Sequence, residues 1–320
     1  MRTLALTLSL AVSVAVSAAQ PTSPAEAITL PTPSPARFFN LARTGSLAAA
    51  VCLDHQLRVW ALPQGRLLST VDLGDRAFEM TALSDDGRLI LIADHDGGAT
   101  VWDTSAGQAQ WQTRLAHYPG VAAFSHDGRL LALAAQGDPV QVFDLAAKRK
   151  LYELEQTAGG AAAAAFSRDG ALLATACADT TVRVYDARSG KLISRNGDFL
   201  LEPLAVDFSA EGKRVVAAGA DKVVAIIDAA SGRLLRRLEK TAEPVAYLEV
   251  SPSGDSLATV FMKADNLMEP APVAVWDIAS GRQQTDWLPP TLVLGGGWTR
   301  DGQLLAATAT SDAVHIWRVR

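Results

Sequence analysis

The 320-residue chain is 49% hydrophobic and 20% charged, with 24 Gly and 15 Pro, a composition that can bury a core and is neither disordered nor collagen-like. A net charge of -5 supplies no dense basic face, which argues against electrostatic binding of nucleic acid or of an anionic membrane. Two cysteines exclude a disulfide scaffold and any cysteine-based zinc or iron–sulfur site.

The first residues have the character of a targeting segment. Met1-Arg2-Thr3 gives a short positive start, Leu4 to Ala15 an apolar stretch, and Val16-Ser17-Ala18 and Ser17-Ala18-Ala19 small-residue cleavage sites. The stretch is shorter than the roughly 20 apolar residues a spanning helix needs, and it runs into Gln20-Pro21-Thr22-Ser23-Pro24. Residues 1–19 are therefore read as a signal peptide of bacterial style, 20–24 as a Pro-rich linker and 25–320 as one domain. The expectation is a periplasmic or secreted chain with no membrane span after cleavage.

From there the sequence is one repeat. An aromatic or apolar residue precedes Asp at Trp102-Asp103, Phe143-Asp144, Tyr185-Asp186, Ile227-Asp228 and Trp276-Asp277, with degenerate copies at Trp60-Ala61 and Trp317-Arg318. The steps from 60 to 102, 143, 185, 227, 276 and 317 are 42, 41, 42, 42, 49 and 41 residues, which makes seven copies. A second marker precedes each, as in Ser84-Asp85-Asp86-Gly87, Ser125-His126-Asp127-Gly128 and Ser167-Arg168-Asp169-Gly170; Arg43-Thr44-Gly45 is the weakest. In six copies this Gly lies 15 residues before the aromatic position. Asp54, Asp96, Asp179 and Asp221 fall six residues before it and read as turn-formers, and Gly65, Gly107, Gly190, Gly232 and Gly281 fall five after it. Between these turns run alternating segments such as Val182-Arg183-Val184-Tyr185, so each unit is four short strands.

The run from Phe166 to Asp186 resembles the WD-repeat family, and the similarity extends over about 25–320. The resemblance implies an all-β, seven-bladed β-propeller of four-stranded blades, its ring closed by an N-terminal strand that completes the last blade. By the repeat offset that strand falls at 24–29, where Ala25 to Leu30 has strand-like character. The family's Gly-His pair is absent, so the blades are expected to rely more on apolar packing.

Searches for chemistry return little. No nucleophile elbow, His-Glu-x-x-His, phosphate loop or haem motif is present. Cys52 and Cys177 occupy matching strands of blades across the ring and read as small buried thiols. Asp94, His95, His55 and His117 fall near equivalent turns of neighbouring blades. They admit a metal or acid–base site, as in a lactonase-like hydrolase, or merely turn carboxylates with solvated imidazoles. Asp103 to Trp111 is similar to a blade motif of quinone-cofactor propellers, but it occurs once and reads as a shared turn. The inner strands are rich in small residues; Asp207 and Glu249 are their acidic exceptions and read as solvated linings.

One length irregularity remains. Gly254 to Trp276 spans 22 residues instead of 15, an insertion within Phe261 to Pro272 that carries Phe261, Met262, Leu267 and Met268. Exposed apolar, Met-rich loops are adaptable contact surfaces, and Trp287 in the next connection offers a second anchor. The function expected is a non-enzymatic envelope scaffold, without cofactor, that binds a protein or peptide through this face. The hydrolase is the alternative.

Overall fold

In the computed structural model, which describes residues 24–154, 159–238, 241–263, 266 and 269–319, every regular element is a β-strand. The repeat markers explain why. In the first hairpin of blade 2 the Ser84 hydroxyl donates to Asp86 Oδ1 at 2.8 Å and accepts the Leu89 N–H at 3.0 Å. Equivalent bonds recur at Ser125 (2.6 and 2.9 Å) and Ser167 (2.6 and 2.9 Å). The glycine that ends this turn, Gly87 for instance, sits at φ +77°, a region without steric cost only for glycine. At the hairpin into the outer strand, the Asp after the aromatic position gathers backbone donors. Asp103 Oδ1 accepts the N–H groups of Ser105 and Ala106 at 2.9 and 2.8 Å.

These turns fold the chain into seven antiparallel four-stranded sheets. The innermost strands are Ala36–Leu41, Phe78–Leu83, Pro119–Phe124, Ala161–Phe166, Pro203–Phe208, Val245–Val250 and Val293–Trp298. Six sheets follow sequence order from inside to outside. In the seventh the outermost strand is Ala25–Pro31, paired antiparallel with Ala313–Arg318 so that Leu30 faces Val314 and Thr29 faces His315. The chain is thus a seven-bladed β-propeller closed by its N-terminal strand. The core lies between successive blades: Val216 and Ile226 of blade 5 pack with Leu248, Leu257 and Trp276 of blade 6, and Leu30 and Val314 of blade 7 with Ala50 and Trp60 of blade 1.

Because every blade is an antiparallel meander, its first and third turns fall at one end of the ring, here the turn end. The second turns and the blade-to-blade connections fall at the other, the connection end.

Blades 1 and 4 depart from the expectation of mainly apolar support. Arg58 bonds Asp54 twice, at 2.9 and 2.5 Å, and Arg183 bonds Asp179 at 3.1 and 2.8 Å. Both guanidinium groups are buried on the third strand of their blade. In blades 6 and 7 the Trp276 and Trp317 indoles donate to Thr259 and Thr308, at 2.9 and 3.0 Å.

Candidate functional site

The insertion opens at the connection end, but Phe261, the first of the side chains expected to be presented there, is turned away from solvent. Phe261 is only 6% exposed, because the second strand of blade 6 continues through it in register with Val245 and carries its ring into the inter-blade core. Met262 is half-buried, its N–H donating to Pro244. Leu267 and Met268 lie outside the described residues. Trp287 lies tilted against Trp317, ring centroids 5.5 Å apart and planes at 45°, and packs on the core between blades 6 and 7. Phe261 and Trp287 are therefore packing residues and not free anchors.

The imidazole set does not converge either. His55 Nδ1 donates to the Arg76 carbonyl at 3.0 Å. Asp94 accepts the Gly98 N–H at 2.7 Å and faces Arg76. His95 lies 3.4 Å from Glu79 and edge-on to Tyr118, and His117 is exposed. His55, Asp94 and His95 are thus drawn to different neighbours. Among the described residues no three His, Cys, Asp or Glu side chains stand close enough to hold a metal ion. The turn residues have local tasks: Asp54 and Asp179 hold their arginines, Asp221 accepts the Val223 and Leu200 N–H groups at 3.1 and 3.2 Å, and Asp96 is exposed ahead of Gly97. Cys52 and Cys177 are buried and unbridged.

What the connection end does present was missed by sequence reasoning. Leu53, Tyr118, Leu200, Leu201 and Leu288 are exposed in its loops, Leu200 by 84%. Leu200 is held rather than loose: its N–H is bonded by Asp221, its neighbour Phe199 is buried in the core, and Arg237 donates to the Asp198 carbonyl at 2.8 Å. Among the described residues no large hydrophobic is exposed in a loop of the turn end. The apolar triplet Phe199-Leu200-Leu201 between Asp198 and Glu202, and Leu288 ahead of Pro289-Pro290, were the available signals.

Charge divides along the same axis. The described loops of the connection end carry eleven acidic residues (Asp54, Asp75, Asp96, Asp138, Asp179, Asp198, Glu202, Asp221, Glu243, Glu269 and Asp312) against three basic ones (Arg76, Lys222 and Lys263). The loops of the turn end carry eleven basic residues (Arg43, Arg88, Arg129, Lys148, Arg168, Arg188, Lys191, Lys213, Arg233, Arg282 and Arg300) against seven acidic ones (Asp85, Asp86, Asp127, Asp169, Glu211, Asp255 and Asp301). Asp103, Asp144, Asp186, Asp228 and Asp277 close the third turns from the last residue of the preceding strand and offset that basic excess, so the asymmetry is the acidic excess of the connection end.

A channel of about 550 Å³ runs through the ring, its wall reaching from Phe38, Ala246 and Val293 to Arg43, Asp85 and His126 near the turn end. There the expectation of solvated acidic linings fails. Asp207 and Glu249 are buried, and Arg43 of blade 1 reaches across to them, 2.8 Å from Glu249 and 3.9 Å from Asp207, while standing 3.7 Å from Asp85. Glu249 also accepts the Trp298 N–H at 3.1 Å and the Tyr247 hydroxyl at 3.0 Å. Asp207 accepts the Phe208 and Val250 N–H groups, both at 2.8 Å, and His126 bonds Asp85. Burial raises both the Asp207 and Glu249 carboxyls above their ordinary values, against the pull of Arg43. Burial also raises the Tyr247 phenol, although 44% of the residue is exposed, because that surface lines the channel and not bulk solvent.

The geometry defines a propeller with one apolar, acidic end and a charged channel. Residues 54–284 match the family described as outer membrane protein assembly factor BamB, and the chain belongs to that family. A WD repeat-containing protein, SL1-17 of Schistosoma mansoni, is 34% identical over 104 residues, 32% of this chain and 34% of that protein, so the match spans about a third of the relative's length. The region matched to the family, 54–284, includes Asp103 to Trp111, where Asp103 forms the turn and Trp111 packs edge-on against Phe143, ring centroids 4.9 Å apart. No helix among the described residues is long and apolar enough to cross a membrane.

Proposed function

We propose that this chain is a non-enzymatic protein-interaction scaffold of the cell envelope that docks its partner on the connection end. The observation that carries this reading is the coincidence on one end of every exposed large hydrophobic found in a described loop with an excess of carboxylates. Isolated exposed leucines are ordinary, but leucines fixed in place by buried neighbours act as anchors, and a charged rim steers the approach of a complementary surface. The matching partner surface therefore offers apolar pockets ringed by Lys and Arg. Membership of a family described as an outer membrane protein assembly factor supports both an assembly role and an envelope location, and the signal-like segment 1–19 supports the location.

The test is capture of the partner by the tagged full chain from its own envelope after mild cross-linking. Leu200→Ser with Leu201→Ser should lose a specific protein that is retained by Leu67→Ser with Leu68→Ser, a control at two leucines exposed on the outer strand of blade 1. Equal capture by both variants would refute docking on the connection end.

A further inference from the structure

We propose that the central channel is a binding pocket for an aliphatic cation, an ammonium or guanidinium carried on an apolar stem. The channel's volume, about 550 Å³, lies within the range of pockets that enclose small ligands. Its wall is largely apolar and built from small residues such as Ala123, Ala164 and Ala246, which leaves the lumen open to a hydrocarbon stem.

The sign of the ligand follows from the charged groups that line the channel. They are Arg43 and His126 on one side of the balance and Asp85, Asp207 and Glu249 on the other, so acidic groups outnumber basic ones three to two. Arg168 is exposed, donates to the Pro252 carbonyl at 3.0 Å, and lines only a small recess beside Arg43 and His126. An anion would have to compete for Arg43 with three carboxylates that stand 2.8–3.9 Å from it. A cation meets the surplus acidic group, and it also meets Tyr247, which lines the lumen and supplies an aromatic ring for a cation–π contact. Metal ions are less suited, since among the described residues no three ligating side chains converge. An organic cation, more weakly hydrated, loses less on entering.

The source of such a cation is either a free amine or a basic side chain projected by a docked protein, and the two are separable. Titration calorimetry of the full chain would use three probes: n-hexylammonium, hexanoate, and the blocked tripeptide acetyl-Leu-Lys-Leu-amide. The ammonium compounds are expected to bind at least about tenfold more tightly than hexanoate. Stronger binding of the tripeptide assigns the pocket to a partner's lysine, and stronger binding of n-hexylammonium assigns it to a free amine. Asp207→Asn with Glu249→Gln keeps acceptors for the Phe208, Val250 and Trp298 N–H groups while removing charge, and should weaken ammonium binding about tenfold or more. Ala246→Phe fills the lumen at an exposed inner-strand position with every charge in place, and should abolish binding in a protein whose melting is unchanged. Hexanoate binding as tightly as n-hexylammonium, no heat from either ammonium probe, or binding that survives Ala246→Phe would each overturn the proposal.

Discussion

Leu30→Ala is the most direct probe of ring closure. Leu30 is fully buried on the N-terminal strand and packs with Trp60 of blade 1 and with Val314 and Ile316 of blade 7, so it joins the two ends of the chain. Truncating it removes buried methyl groups and leaves a cavity between strands held by their hydrogen-bond ladders, a change that costs about 3 kcal/mol. For a domain of this size about 3 kcal/mol lowers Tm by roughly 5 °C. Differential scanning calorimetry and urea denaturation both read it. Ala27→Ser serves as control, because Ala27 is exposed at the irregularity in the strand's register and its change should fall within about 0.5 kcal/mol of the parent. A Leu30→Ala protein that melts like the control would refute closure through this strand.

Further outcomes are equally specific. Asp179→Ala leaves the buried Arg183 guanidinium without its carboxylate and should cost about 3 kcal/mol in a urea melt, whereas an exposed pair such as Lys150–Glu153 should give less than about 1 kcal/mol. Lys148 stands at φ +52° where the same turn in blades 2, 4, 5 and 6 has Gly, so Lys148→Gly should raise stability by up to about 1 kcal/mol in the same assay. Serine hydroxyls hold the Asp103, Asp169 and Asp186 carboxyls below their ordinary value of 3.8, with backbone N–H groups assisting. Their stabilisation is therefore present above that value and lost as pH falls through the lowered values. Asp207 and Glu249 act in the opposite sense. Raised in the folded state, they favour folding at low pH and lose that contribution as pH rises through their folded values. A stability–pH profile should thus contain a falling limb above the ordinary carboxylate range that Asp207→Asn with Glu249→Gln removes.

The blades were legible in the sequence because their chemistry is local. Ser84, Asp86 and Leu89 close a turn within six residues, and the same pair of bonds recurs at Ser125 and Ser167. Ring closure was legible because a missing outer strand at one terminus and a spare strand at the other complete a single count. The Arg43 network was not, since it joins blade 1 to blades 2, 5 and 6 across the channel and has no period. Its one trace was the degenerate first marker, where Arg43 stands at the position of Asp85. The insertion misled for a different reason. Its length shows residues added after Gly254, but the repeat itself places Phe261, seven residues after that glycine as Cys52 is after Gly45, at the end of the second strand and not in the loop. Exposure of Leu200 depends on Phe199 being taken into the core beside it, which alternation within a connecting loop does not encode.

Docking on the connection end is tested most directly by a photo-cross-linking residue placed singly at Leu200, at Leu288 and at Arg300, the last being exposed in a loop of the turn end. In cells that make the chain, the expected result is a cross-link to one protein from positions 200 and 288 and none from 300. Cross-links from 300 alone, or equally from all three, would contradict it.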